Sequence, residues 1–333
     1  MYNNPGLRTK AQMLGLCFIR GIPSNYYCTF ESNYNVRMSF VRNLIYQKHF
    51  NYILRNVCKA FGGLIPENKK LHPSGKLRLK VDGLRFVLNT NQTSYVTRQL
   101  FWIGPANYEY STIFIDLIKD CTVFFDVGAS LGYYTILATK ANPEVRVFSF
   151  EPSVGAMNYL SENVSINDVA DRVMLESIAL SDTNGQVQFN EVKNPKFPNI
   201  DNLSGEHNLK TKKGLDTNAV TVEARTLNDY VADSKIVNID LIKLDTEGAE
   251  HLILKGGSKV IDRFRPIIIC EVLFNSIEKQ LEQIMLSHNY AFYNHTASGL
   301  KKVSTIQRTE DDGVRNCFFV PREKENTVAP FLN

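Results

Sequence analysis

Thr122–Thr135 reads TVFFDVGASLGYYT, and this stretch decides the fold. Val123, Phe124 and Phe125 form a short apolar run of strand type that Asp126 closes. Gly128 and Gly132 then mark a turn into a helix beginning near Tyr133. Neither glycine carries a Cβ, so the backbone can approach a ligand closely. In an open parallel sheet, ligands bind outside the carboxyl ends of the strands. Asp126, Gly128, Ala129, Ser130 and Gly132 are therefore expected to face a small molecule. The dinucleotide fingerprint G-x-G-x-x-G is not met: Ser130 replaces its second glycine, which would touch a pyrophosphate, and its third glycine is missing.

The next expected strand, VRVFSFEP at 145–152, ends on Glu151, 25 residues after Asp126. A carboxylate at that strand end suits the two hydroxyls of a ribose, each bond being worth about 1.5–3 kcal/mol. The alternative is a carboxylate capping a helix that starts near Ser153. Further on, LIKLDTEGAE at 241–250 and PIIICE at 266–271 each place acids at the end of an apolar strand. Asp245, Glu247 and Glu271 are the candidates for a general base, because clustered carboxylates raise one another's pKa. Lys243 points to the same strand face as Asp245 and is expected to pair with an acid. His251 would share a helix face with Glu247 if the helix began there. Asp245 with Glu271 could also bind Mg²⁺, a reading not favoured.

D-V-G-A-x-x-G-x-Y-T, F-E-P and K-x-D-x-E-G-x-E, in this order, resemble the FkbM family of class I methyltransferases. The resemblance runs from roughly Tyr108 to Val320. It implies a Rossmann-like α/β sheet, mostly parallel with a reversed last strand, and helices on both faces. It also implies S-adenosylmethionine as cofactor and methyl transfer to a hydroxyl of a sugar, glycan or natural product. Ser130 departs from the family, which most often has asparagine there. The resemblance further places Glu109, from the Tyr108-Glu109 element, near the amino group of the cofactor, and Ser181 and Asp182 beside its adenine.

Around these blocks, strands and helices alternate, as in a parallel sheet covered on both faces. Strands are expected at 173–178, 239–244, 267–272, 290–294 and 316–320, and helices at 153–166, 249–261 and 276–288. KLRLKVDGLRFVLN from Lys76 reads as a hairpin turning at Asp82-Gly83. Lys193–Asn218 breaks the alternation and is a candidate substrate loop.

The chain has 333 residues, with 44% hydrophobic and 22% charged. It divides into a basic, partly helical extension over 1–76 and a catalytic domain over 77–333. Residues 1–80 hold thirteen Lys and Arg against Glu31 and Glu67. Val36–Phe61 reads as a basic amphipathic helix or helix pair. It either contacts an anionic membrane or polyanionic substrate, or packs on its own domain with its basic face in solvent. The basic region also prompts an alternative function, RNA methylation, which the D-T-E-G block disfavours, so a nucleic-acid partner is not expected. The apolar run Met13–Ile19 is too short for a signal peptide. Six cysteines without C-x-x-C spacing fit a reducing cytoplasm.

Overall fold

The computed structural model describes residues 41–205 and 216–333. The chain forms two compact units, Met1–Gln47 and Lys48–Asn333. The expectations for residues 1–40, including the run Met13–Ile19, Cys17 and Cys28, lie outside the described residues, as does 206–215 of the expected substrate loop. In the first unit, residues 41–45 are helical.

The second unit begins with α1 (Lys48–Ala60), the hairpin β1 (Gly75–Val81) and β2 (Leu84–Thr90), α2 (Tyr95–Trp102) and α3 (Ser111–Ile118). β3 (Val123–Val127), α4 (Tyr133–Ala141), β4 (Arg146–Phe150), α5 (Val154–Ile166) and β5 (Val173–Glu176) follow. β6 (Ala179–Ser181), β7 (Gly185–Val192) and β8 (Thr217–Thr226) form a small separate sheet in the order β6-β8-β7, and α6 (Leu227–Asp233) leads out of it. β9 (Leu241–Leu244), α7 (Glu250–Gly256), α8 (Ser258–Phe264), β10 (Ile267–Glu271) and α9 (Glu278–Ser287) precede the closing strands β11 (Tyr290–Thr296), β12 (Gly299–Val303) and β13 (Asn316–Pro321).

The main sheet runs β12-β11-β13-β10-β9-β3-β4-β5. β5, β4, β3, β9 and β10 are parallel, and β13 lies antiparallel between β10 and β11. This is the Rossmann-like doubly wound α/β architecture with a reversed strand, and the strand order turns back on itself at β3. Alternate residues of each strand feed two cores. Phe124, Leu241 and Ile267 pack on one face with α3, α4 and the hairpin. Phe125, Ile242 and Ile268 pack on the other with α6 to α9.

The structure departs from the expected elements at four places. The first is the stretch after Val192, where Thr217–Thr226 is a strand paired along the whole of β7, so the irregular segment ends before Thr217. Its alternating VTVEA pattern is masked in sequence by the preceding polar run. Secondly, the helix expected over 249–261 is two helices broken at Gly257, where a Cβ would sit 2.7 Å from Leu227 Cδ2. Thirdly, β5 stops at Glu176, because Ala179–Ser181 joins the small sheet instead.

The fourth departure is α1, and it is a departure from one of the two expected readings, packing on its own domain with the basic face in solvent. Asn51 and Arg55 are buried, while Phe50, Ile53, Val57 and Phe61 are exposed. Arg55 donates to the carbonyls of Ser74 (3.0 Å) and Lys76 (2.7 Å), and Asn51 Oδ1 accepts from Ser74 N–H at 2.8 Å. The polar side docks because it completes the backbone hydrogen bonding at the entry to β1.

Asn163 of α5 and Asn167, which caps its end, do the work of a missing strand. Asn163 accepts from Asn89 N–H and donates to the carbonyls of Asn89 and Leu131. One turn on, Asn167 does the same for the N–H and carbonyl of Val87. β2 is thereby tied to α5, and α5 to the glycine turn. Asn163→Ala should cost about 3 kcal/mol, since it strands buried backbone groups at about 1–3 kcal/mol each; urea denaturation of the two proteins measures it.

Candidate active site

The carboxyl ends of β3 and β9 meet at a buried ion pair. Lys243 lies opposite Asp126 in the parallel register, and its Nζ is 3.4 Å from Asp126 Oδ1, 3.3 Å from Asp245 Oδ2 and 3.2 Å from the Gly128 carbonyl. Burial alone would lower the lysine pKa, but Asp245, Asp126 and Glu109 together carry it above its ordinary value. Asp126 is completely buried and accepts from Thr135 Oγ1 at 2.7 Å. The expected pairing of Lys243 with an acid is thus made twice.

The turn after β3 is shaped by close approach. Gly128 has φ +76°, and a Cβ there would lie 1.9 Å from the Asp245 carbonyl. The turns following β3 and β9 are therefore in backbone contact. Gly132 (φ +90°) faces Leu160 Cδ1, which would be 2.4 Å from a Cβ. Ser130 takes φ 51°, a conformation that costs most residues about 1 kcal/mol or more. Its N–H donates to Glu151 Oε2 at 2.8 Å, and Ser153 N–H donates to Glu151 Oε1 at 2.9 Å. The structure brings Asp126, Gly128, Ala129, Ser130, Gly132 and Glu151 together, and Glu151 also accepts from the N–H of Ser153, the residue before α5.

Glu109, at φ 42°, accepts from Tyr134 Oη at 2.9 Å. It is open to solvent on one side and crowded by protein on the other. Burial, then the charge of Asp245, pushes its carboxyl up to about 7, against the Tyr134 hydrogen bond; water reaching the open side moderates the shift. Glu271 ends β10 and is held well above the carboxylate range by burial, then by Asp245 and Glu247. Its Oε2 is buried without a hydrogen-bond partner. The charge of Asp245 thus acts on both Glu109 and Glu271, Glu247 acts on Glu271, and Lys243 sits between Asp126 and Asp245. Among the described residues, no group of three or more His, Cys, Asp and Glu is arranged to hold a metal ion.

The remaining expectations fall differently. Glu247 (φ 59°) precedes α7, which begins at Glu250, so His251 and Glu247 share no helix face. Ser181 ends β6 and Asp182 follows it, both against α7: Asp182 pairs with Lys255 at 2.8 Å, and the Ser181 carbonyl lies 2.2 Å from where a Gly256 Cβ would be. The described start of the segment expected to be a substrate loop is anchored beside α2, with Leu203 N–H donating to Thr93 Oγ1 at 2.7 Å and Asn91 Nδ2 to the Asp201 carbonyl. Sequence reading passed over Glu250. Its buried Oε1 accepts from Thr246 N–H (2.8 Å), Thr246 Oγ1 (2.9 Å) and Gly248 N–H (3.2 Å), holding the loop that carries Asp245 and Glu247. The E-G-x-E spacing carried that signal.

Residues 126–292 match the family described as the methyltransferase FkbM domain. The chain is similar to the 2-O-methyltransferase NoeI of Sinorhizobium fredii, 28% identical over 155 residues, with 45% of this chain and 63% of that one covered. It is also similar to the hexuronic acid methyltransferase AglP of Haloferax volcanii, 24% identical over 159 residues, covering 47% and 59%. It spans under two thirds of the length of either relative. The crystal structure of methyltransferase FkbM from Methylobacillus flagellatus aligns at 17% identity with a TM-score of 0.41, covering 73% of this chain and 56% of that one.

The raised carboxyl of Glu109 has a thermodynamic signature. The unfolded chain loses this proton near its ordinary value of 4.5, the folded one at a higher pH, at most about 7. Between them the folded state binds more protons, so the contribution to stability is full below pH 4.5 and declines as pH rises to 7. Glu109→Gln should flatten this part of the decline, read as the thermal midpoint against pH; equal slopes in both proteins would show that Glu109 does not titrate there.

Proposed function

The chain belongs to the FkbM methyltransferase family, and from that premise we propose that it moves a methyl group from S-adenosylmethionine to a hydroxyl of a sugar, glycan or natural-product acceptor. The observation carrying this reading is the set of strand ends at which Glu151 is hydrogen-bonded to the glycine turn and Lys243 pairs with Asp126 and Asp245. The names of NoeI and AglP, a 2-O-methyltransferase and a hexuronic acid methyltransferase, support an oxygen acceptor on a sugar.

These residues fit the cofactor. When bound, S-adenosylmethionine supplies a methyl group on a sulfonium, and it carries an ammonium as well. A cleft whose acids outnumber its cations, with Glu109 and Glu271 both raised, suits such a cation. Glu151 takes the ribose hydroxyls, with the Gly128–Gly132 turn against the same ligand. Glu109 takes the ammonium, and Ser181 and Asp182 border the adenine. Asp245, Glu247 and Glu271 line the acceptor side. Glu271 Oε2 receives the proton that the acceptor hydroxyl gives up. A positive charge nearby favours its ionised form beforehand, and its burial gives the incoming proton a high affinity. Placing the acceptor oxygen in line with the methyl group contributes up to about 7–11 kcal/mol. Mg²⁺ has no step in this scheme.

The free thiols of Cys58, Cys121, Cys270 and Cys317, with Cys270 directly opposite Cys317 across β10 and β13, support a reducing compartment such as the cytoplasm. Among the described residues, no helix is long and apolar enough to cross a membrane.

Calorimetric titration of S-adenosylhomocysteine tests the cofactor site. The wild type should bind, and Glu151→Ala should weaken binding by roughly 10- to 100-fold, the worth of charge-assisted hydrogen bonds to the ribose. Absence of binding to the wild type would remove the proposal.

A further inference from the structure

Two consecutive tyrosines at the start of α4 hold the segment that carries Glu109. Ser111 Oγ donates to the Tyr108 carbonyl at 2.6 Å, and Tyr133 Oη meets the same Ser111 Oγ at 2.8 Å. One residue on, Tyr134 Oη donates to Glu109 Oε2 at 2.9 Å. Glu109 has φ 42°, a left-handed backbone that a residue other than glycine keeps only where its surroundings fix it.

The Tyr134 ring is packed so that it cannot swing aside. It stacks on Tyr110, with centroids 4.9 Å apart and planes at 12°, and meets Phe114 at 5.0 Å and Tyr133 at 4.9 Å in edge-on contacts. Tyr110 is backed in turn by Phe318 at 5.6 Å. Lys243 Nζ lies 5.6 Å from the Tyr134 ring centre, within cation–π reach. A phenyl ring, as at Phe114, would fill this cluster equally well. The hydroxyl of Tyr134 is accounted for by the carboxyl it meets.

We propose that Tyr134 is a positioning residue, its hydroxyl fixing the Glu109 carboxyl in the orientation that receives the amino group of S-adenosylmethionine. This rests on the reading that Glu109 takes the ammonium. The other groups around Glu109 do not secure that state. Asp245, on the turn after β9, favours its protonated form, and Glu271 of β10 and Glu109 repel each other, while Lys243 of β9 works against both. Tyr108, Tyr110 and Tyr133 face it uncharged, because burial holds each phenol above its ordinary range. The Tyr134 hydrogen bond favours the ionised carboxyl.

The test is calorimetric titration of S-adenosylhomocysteine, which carries the same amino group, into the wild type, Tyr134→Phe, Glu109→Gln and the double variant, each well below its thermal midpoint. Tyr134→Phe keeps the ring and should weaken binding about tenfold near neutral pH. The rise of affinity with pH should move upward in this variant, because the ionised carboxyl has lost a donor. Glu109→Gln should weaken binding at least as much, and adding Tyr134→Phe to it should cost less than about twofold more. Additive losses, or a Tyr134→Phe profile equal to that of the wild type, overturn the proposal and leave the cofactor site standing. A Glu109→Gln protein that binds as the wild type does overturns it as well, by removing the role of Glu109. A wild type that does not bind removes the proposed function and this inference with it.

Discussion

The buried lysine at the end of β9 is the constraint on which the rest of the site depends. Lys243 is held between Asp126 of the neighbouring strand and Asp245 of its own turn, and it also reaches the Gly128 carbonyl. A buried pair like this adds little net stability, yet removing one partner typically costs about 3–5 kcal/mol because the other charge is left alone. Its value here is positional. It brings together the two strand ends between which the glycine turn folds, and Thr135 extends the arrangement into α4 through Asp126. The close approach of Gly128 to the Asp245 carbonyl has room only because these ends are held in register.

Much of this was legible beforehand, for a physical reason. A buried parallel strand must be a continuous apolar run, and a glycine at a strand end needs a backbone reason to be there. The segments around Asp126, Glu151, Asp245 and Glu271 each satisfy both conditions or the first of them, so the sheet and its acidic rim could be read in one dimension. The pairing of Lys243 with acids followed from the two-residue period of a strand.

What could not be read depends on which surface is left over once the core has formed. The spacing of α1 left open whether its apolar side would face inward. That side lost to Asn51 and Arg55, because the carbonyls of Ser74 and Lys76 needed donors. Asn163 and Asn167 look like ordinary helix residues until β2 lies beside them with open backbone groups. Glu250 seemed one acid among several, although its task is to hold the Thr246–Gly248 turn in shape. In each case a polar side chain answers a backbone group far away in sequence, and no local pattern announces that.

The imbalance of charge in the cleft has a consequence for calorimetry. The raised carboxyls of Glu109 and Glu271 couple this site's affinity for protons to its affinity for cations. Any cation that settles there must displace protons into the surrounding buffer. The heat of binding then includes the ionisation enthalpy of that buffer, so two laboratories using phosphate and Tris would record different enthalpies for one and the same equilibrium.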